Sequence, residues 1–266
     1  MSAAPDLLVL GSGGVLGDVW MTGVVCGLDR SSLVAPAASG AFLGTSAGSI
    51  VATRLASGQD IDTLIRRYVE PASVAAVPGP EPDLGTGDRR PRLFARLIAA
   101  HGATGRFARR LLLSIIPAGR QKLRHLERDM TALAPEWPNR LNIAAVEAGT
   151  GRRVCFSRGR NESLSVSEAV QASCAIPAVF QPVESRNGSG ATYVDGGVWS
   201  PVNLDAVPAE SGWTLLCLTP TGSDQGASGI GRRLVAWFFR TVVEGEVARL
   251  RRSGIRVVNV VPDEAA

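Results

Sequence analysis

Three glycine-framed stretches carry the residues whose types could do chemistry. The first is Gly44-Thr45-Ser46-Ala47-Gly48, a Gly-x-Ser-x-Gly pentapeptide followed by an apolar run at helical spacing, Ile50, Val51 and Leu55. A strand, a sharp turn and a helix would place Ser46 at the crest of the turn. Gly44 and Gly48 would let the backbone bend and the neighbouring elements pack close. The hydroxyl would then stand at the positive end of the following helix, where an acyl-transfer transition state gathers negative charge. The second stretch is Gly11-Ser12-Gly13-Gly14-Val15-Leu16-Gly17, set between an apolar run (Asp6 to Leu10) and a helix through Leu28. Its free N–H groups, first of all those of Gly13 and Gly14, could bind an oxyanion. The third is Asp195-Gly196-Gly197, at the end of the short run Thr192-Tyr193-Val194.

Each stretch has a plainer reading. Ser46 could be a helix N-cap, Asp195-Gly196 a hairpin turn, and the glycine loop a dinucleotide cradle. A serine nucleophile needs a base, and the usual base is histidine. The chain has two histidines, His101 and His125, and none after position 125. The order Ser, Asp or Glu, His therefore cannot be made. Asp195 is the best remaining base. A free aspartate, with a pKa of about 3.9, is a poor one, so burial must raise its pKa or the Ser46–Asp195 geometry must be tightly fixed. The dinucleotide reading is poorly served, because Lys122 is the only lysine and lies near neither Tyr68 nor Tyr193.

Alternating apolar runs and amphipathic stretches must position these groups. Strands are expected at Asp6–Leu10, Ala41–Leu43, Leu141–Val146, Val154–Ser157, Thr192–Val194, Thr214–Leu218 and Ile255–Val261, with helices at 47–57, 60–69, 167–173 and 230–252. This alternation predicts an α/β fold, a mostly parallel central sheet with helices on both faces, in one domain over 1–266. Residues 70–135 interrupt the pattern. Prolines and glycines crowd 70–91, and arginine-rich helical patterning follows. We read this span as an insertion over the active face. Two readings stand for it: ordinary surface helices, or a lid that meets lipid through arginine and bulky apolar side chains.

The 266 residues carry a net charge of +4, with 45% hydrophobic and 20% charged residues. A large core can form. The mild basic excess fits an anionic membrane surface, an acidic substrate or nucleic acid without choosing among them. Cys26, Cys155, Cys174 and Cys217 are scattered, with no metal-ligand spacing. Buried free thiols in a reducing compartment are the expectation. The first residues show no secretory pattern, and no run is long enough to span a bilayer. A cytoplasmic protein, peripheral at most to a membrane, is expected.

Taken together, these residues resemble the patatin-like phospholipases. Ser12-Gly13-Gly14-Val15-Leu16-Gly17 is similar to that family's oxyanion motif and Gly44–Gly48 to its nucleophile elbow. Ala172-Ser173-Cys174-Ala175-Ile176-Pro177 with the following Ala178–Val183 is similar to the segment before its aspartate, and Asp195-Gly196-Gly197 to its Asp-Gly motif. The resemblance implies a three-layer α/β/α sandwich and a Ser46–Asp195 dyad without histidine. It also implies an oxyanion hole from Gly13 and Gly14, with Ser12 and Ala47 as further donors, and hydrolysis of lipid acyl esters through an acyl-enzyme. Neither a metal nor another cofactor is implied, and no nucleic acid. Two positions depart from the pattern. Ser12 replaces the first glycine, and Leu16 replaces the basic residue, which makes neutral esters more plausible as substrates. The departures also leave room for a catalytically silent lipid-binding protein of the same fold.

Overall fold

The computed structural model describes residues 3–69, 105–222 and 230–262. Among them, strand β1 (Leu7–Leu10) leads to helix α1 (Gly14–Arg30), then β2 (Ala41–Thr45), α2 (Ala47–Ala56) and α3 (Ile61–Val69). After the undescribed span come α4 (Gly105–Ile115), α5 (Arg124–Leu133), β3 (Leu141–Glu147), β4 (Arg152–Ser157) and α6 (Val166–Ser173). β5 (Val183–Glu184), β6 (Thr192–Asp195), β7 (Thr214–Leu218), α7 (Ile230–Arg252) and β8 (Arg256–Val260) complete the order. Strands β3, β2, β1, β7 and β8 are neighbours in parallel, and β4, β5 and β6 add antiparallel pairs beyond them.

Side-chain alternation along the strands divides the core into two layers. Leu8, Leu10, Phe42 and Ile143 face Met21 and Val25 of α1, Val51 and Leu55 of α2, and Ala169 of α6. Leu7, Val9, Leu43 and Leu215 face Val243, Val247 and Leu250 of α7. Helices thus cover both faces of one sheet, the three-layer α/β/α sandwich anticipated. The long apolar runs form continuous strands because both faces are buried.

One stretch differs from expectation. The sequence pattern assigns 124–135 to the end of the insertion, but Leu126, Met130, Leu133, Ala134 and the following Trp137 belong to the main core. Ser167 Oγ donates to Glu127 O at 2.9 Å and ties α6 to α5. The arginines of this stretch face water while its apolar stripe faces in, so composition hid a core helix. The rest of the expected lid falls largely on residues 70–104, which lie outside the described residues.

The register of β3 explains why two distant residues meet. β4 pairs along one edge of β3, from Asn142 to Glu147. On the other edge β2 pairs with 141–144, ending with Thr45 opposite Ala144. β6 runs the opposite way and pairs with 145–147, ending with Asp195 opposite Ala145. Two strand ends therefore abut on adjacent residues of one neighbour. Ser46 follows the first end, and Asp195 is the second.

Candidate active site

Ser46 sits between β2 and α2 at φ 53° and ψ −124°. Such a conformation costs a non-glycine residue about 1–3 kcal/mol. Burial of Val51 and Leu55 on the sheet face outweighs it, at about 1.5–3 kcal/mol per side chain. Two further restraints come from hydroxyl groups. Ser46 N–H donates to Ser173 Oγ at 2.8 Å, and that hydroxyl donates to Ala144 O at 2.7 Å. Ser173, at the end of α6, thus ties the strained turn to β3. Asn203 Nδ2 donates to Thr45 Oγ1 (3.2 Å), Gly196 O (3.3 Å) and Ser200 O (2.7 Å), holding the turns before Ser46 and after Asp195 to each other. Sequence reasoning gives neither residue a role. Ser173 lies inside a motif-bearing segment, and no local pattern marks Asn203.

Close approach explains the glycines. A Cβ on Gly48 would lie 2.0 Å from Leu10 O, and one on Gly44 2.4 Å from Ser49 Cα. One on Gly196 would lie 2.4 Å from Ala144 O. One on Gly13 would lie 2.6 Å from Pro220 Cβ, and Gly17 faces the same proline at 3.2 Å. Gly48→Ala therefore forces α2 off β1. We expect a loss of about 3 kcal/mol or more, read in thermal melts as a Tm drop of about 6–12 °C. An unchanged melt would show that α2 can shift at no cost.

The central contact is one hydrogen bond. Ser46 Oγ donates to Asp195 Oδ2 at 2.8 Å. Asp195 Oδ1 accepts from Gly197 N–H at 2.6 Å, and the aspartate's own N–H donates to Ala175 O. Asp195-Gly196-Gly197 is thus not a hairpin turn. It opens a 3-10 turn, Gly196–Val198, capped by the aspartate itself. The side chains are nearly sealed, with Ser46 7% and Asp195 4% exposed. Burial pushes the Asp195 carboxyl up to about 7, against the Gly197 and Ser46 hydrogen bonds that pull it down. A carboxylate of that basicity is suited to taking a proton near neutral pH.

Above the pair lie the starts of α1 and α2. Among the described residues, no acceptor takes the N–H of Gly13, Gly14 or Ala47. Gly14, at φ 58°, turns the loop into α1. Ser12 behaves differently from expectation. Its N–H donates to Pro201 O at 2.7 Å, so that donor is already committed. Its side chain lies instead near the place where a Cβ on Gly197 would be, 3.7 Å from Ser12 Oγ. Arg54 of α2 reaches Asp18 of α1 at 3.2 Å, a buried pair that fixes the two helices to each other. Leu16 is 83% exposed at the beginning of α1.

The remaining candidates separate cleanly. His125 lies exposed on α5 with Nδ1 beside Arg128, and His101 falls outside the described residues. All four cysteines are free. No cluster that could hold a metal occurs among the described residues.

The structure thus sets a serine on a strained strand-to-helix turn, hydrogen-bonded to a buried aspartate on an α/β sheet. The profile of the patatin-like phospholipases matches residues 8–208, and the chain belongs to that family. No curated protein matches it. Solved structures with similar folds include VipD from Legionella pneumophila, 14% identical with a TM-score of 0.41, over 98% of this chain and 62% of that one. Full-length ExoU in complex with SpcU, from the type III secretion system of Pseudomonas aeruginosa, is 17% identical with a TM-score of 0.37, over 95% of this chain and 53% of that one. The chain spans less than two thirds of each of these proteins.

Proposed function

We propose that the chain hydrolyses lipid acyl esters through a Ser46–Asp195 dyad. The observation that carries this reading is the 2.8 Å bond from Ser46 Oγ to a buried carboxylate oxygen whose pKa is raised to about 7. Asp195 Oδ2 takes the hydroxyl proton as Ser46 Oγ adds to the ester carbonyl carbon. The oxyanion that forms is met by the N–H groups of Gly13, Gly14 and Ala47, each loss of which typically costs about 10²–10³ in rate. The C–O bond then breaks, and Asp195 returns its proton to the leaving alcohol. Water repeats the sequence on the acyl-enzyme: Asp195 takes its proton, the acyl–Oγ bond breaks, and Ser46 regains a hydrogen. Ser46 N–H plays no part in oxyanion binding, because Ser173 holds it.

Membership in the family supports a lipid substrate. Leu16 at the start of α1 and Leu111 and Ile115 on α4 are exposed apolar side chains, which suits a protein meeting a lipid surface. No helix of the described residues is long and apolar enough to cross a membrane.

The test is a fluorophosphonate label with a series of p-nitrophenyl esters of rising chain length, run beside a phospholipid panel. Labelling together with turnover that favours longer chains is the expected result. A folded wild-type protein that neither labels nor turns over any ester would overturn the reading in favour of a silent lipid binder.

A further inference from the structure

Glu246 is a buried carboxylate that the acyl-transfer steps leave unused. It lies on α7, 4% exposed, within the apolar stripe of Val243, Val247 and Leu250 that packs on the sheet. No ion pair among the described residues includes it. Burial, and then the charge of Asp205, push its carboxyl up to about 7, against the Ser200 hydroxyl, the Leu204 N–H and Arg153. A buried acid is costly unless its hydrogen bonds repay the desolvation. Those bonds go to one loop. Glu246 Oε2 accepts from Leu204 N–H at 3.0 Å. Ser200 Oγ accepts from Val202 N–H at 3.3 Å and Asn203 N–H at 3.0 Å.

The loop from Ser200 to Leu204 is buried and belongs to no strand or helix. Successive main-chain donors in such a loop need acceptors, and two side chains supply them. Between them Asn203 stands at φ 53°, a conformation that persists only where its surroundings over-determine it. The same loop touches each part of the site. Asn203 Nδ2 reaches Thr45 Oγ1, just before the nucleophile, and Gly196 O, just after the base. Pro201 O accepts from Ser12 N–H, next to Gly13 and Gly14. Helix α7 covers the face of the sheet opposite α1 and α2, so Glu246 holds this loop from behind the sheet.

We infer that Glu246 is a positioning residue of the Ser46–Asp195 site: it fixes the Ser200–Leu204 loop, against which the nucleophile turn, the base and the glycine loop are set to one another. It touches no reacting atom. Without its oxygen, Leu204 N–H is left buried and unmet, Asn203 is released from φ 53°, and the contacts to Thr45, Gly196 and Ser12 loosen together. A displacement of about 1 Å between reacting groups costs about 10²-fold in rate, so a remote acceptor can govern turnover. This inference rests on the acyl-hydrolase reading above.

The experiment measures p-nitrophenyl ester kinetics and the rate of fluorophosphonate labelling for the wild type, Glu246→Met and Glu246→Gln, each shown to be folded by circular dichroism. Glu246→Met keeps the length of the side chain and removes the acceptor. It should lower kcat and the labelling rate by about 10-fold to 100-fold, with KM within about two-fold of the wild type. Glu246→Gln loses the charge but keeps an oxygen for Leu204 N–H, and should stay within about five-fold of the wild type in both readouts. A purely structural role would change the melts and leave the kcat of the folded protein alone. Wild-type kcat in Glu246→Met, an equal fall in Glu246→Gln, or a loss confined to KM would each overturn the inference while leaving the hydrolase intact. If Glu246→Met does not fold, Ser200→Ala takes its place, since it strips Val202 and Asn203 N–H of their acceptor. Wild-type kcat in that variant serves as the refutation. A wild type that neither labels nor turns over ester would instead refute the hydrolase reading.

Discussion

Ser46→Ala should abolish ester turnover and fluorophosphonate labelling while leaving the fold intact. The expected fall in kcat is about 10⁴-fold or more, the scale at which removing a nucleophile leaves only the oxyanion donors and binding. The fold should survive because the turn is held by main-chain and neighbouring groups. Ser46 N–H still donates to Ser173 Oγ, and the Gly44 and Gly48 close contacts are untouched. The substitution keeps a Cβ at φ 53°, so it neither adds strain nor relieves it. Asp195 loses one hydrogen bond that holds its pKa down, so its carboxyl should become still harder to ionise. Circular dichroism and a melt within a few degrees of the wild type, beside an absent acyl-enzyme in intact-protein mass spectrometry, would check both halves. Residual turnover within about ten-fold of wild type would mean that another group does the chemistry, and Ser46 would then be only the start of a helix.

The pairing of Ser46 with Asp195 was legible because residue type did most of the selecting. The histidine positions ruled out the commoner order, and the glycine pairs marked where the backbone must turn. The strands were legible because β1, β2, β3 and β7 are mostly apolar runs buried along most of their length. What sequence could not show depends on contacts between distant segments. Ser12 has the look of an oxyanion donor until its N–H meets the carbonyl of Pro201. Ser173 and Asn203 act through carbonyls and hydroxyls of other elements, and neither leaves a periodic trace. The shared edge of β3 is a matter of register between three strands, which local pattern does not encode. Helix α5 was hidden in the insertion because charge density on an exposed face says little about the face opposite.

Asp195→Asn should nearly abolish activity and raise stability in the same molecule. Burial raises the native carboxyl to about 7, whereas in the unfolded chain it returns to about 3.8. The folded state then binds the proton more tightly than the unfolded state, so this group makes stability fall as pH rises from about 4 to about 7. Below that window the penalty is absent, and above it the penalty is complete. A difference of about three units corresponds to roughly 4 kcal/mol, as an upper bound. Glu246 is likewise raised by burial to about 7, but it is present in both proteins and cancels in the comparison. The substituted amide can keep the geometry: its carbonyl oxygen can accept from Gly197 N–H, and its NH₂ can donate to Ser46 Oγ. It cannot take a proton, so kcat/KM should drop by about 10³–10⁴. At pH 8 the variant should melt on the order of 10 °C above the wild type, and the gap should close as the pH falls towards 4. In the wild type, kcat/KM should climb about ten-fold per pH unit up to about 7 and then level off, which reports the same group ionising. A variant less stable than the wild type at pH 8 would show that the carboxylate is a net stabiliser of the turn. The tension between burial and ionisation that makes Asp195 a base in this account would then be absent.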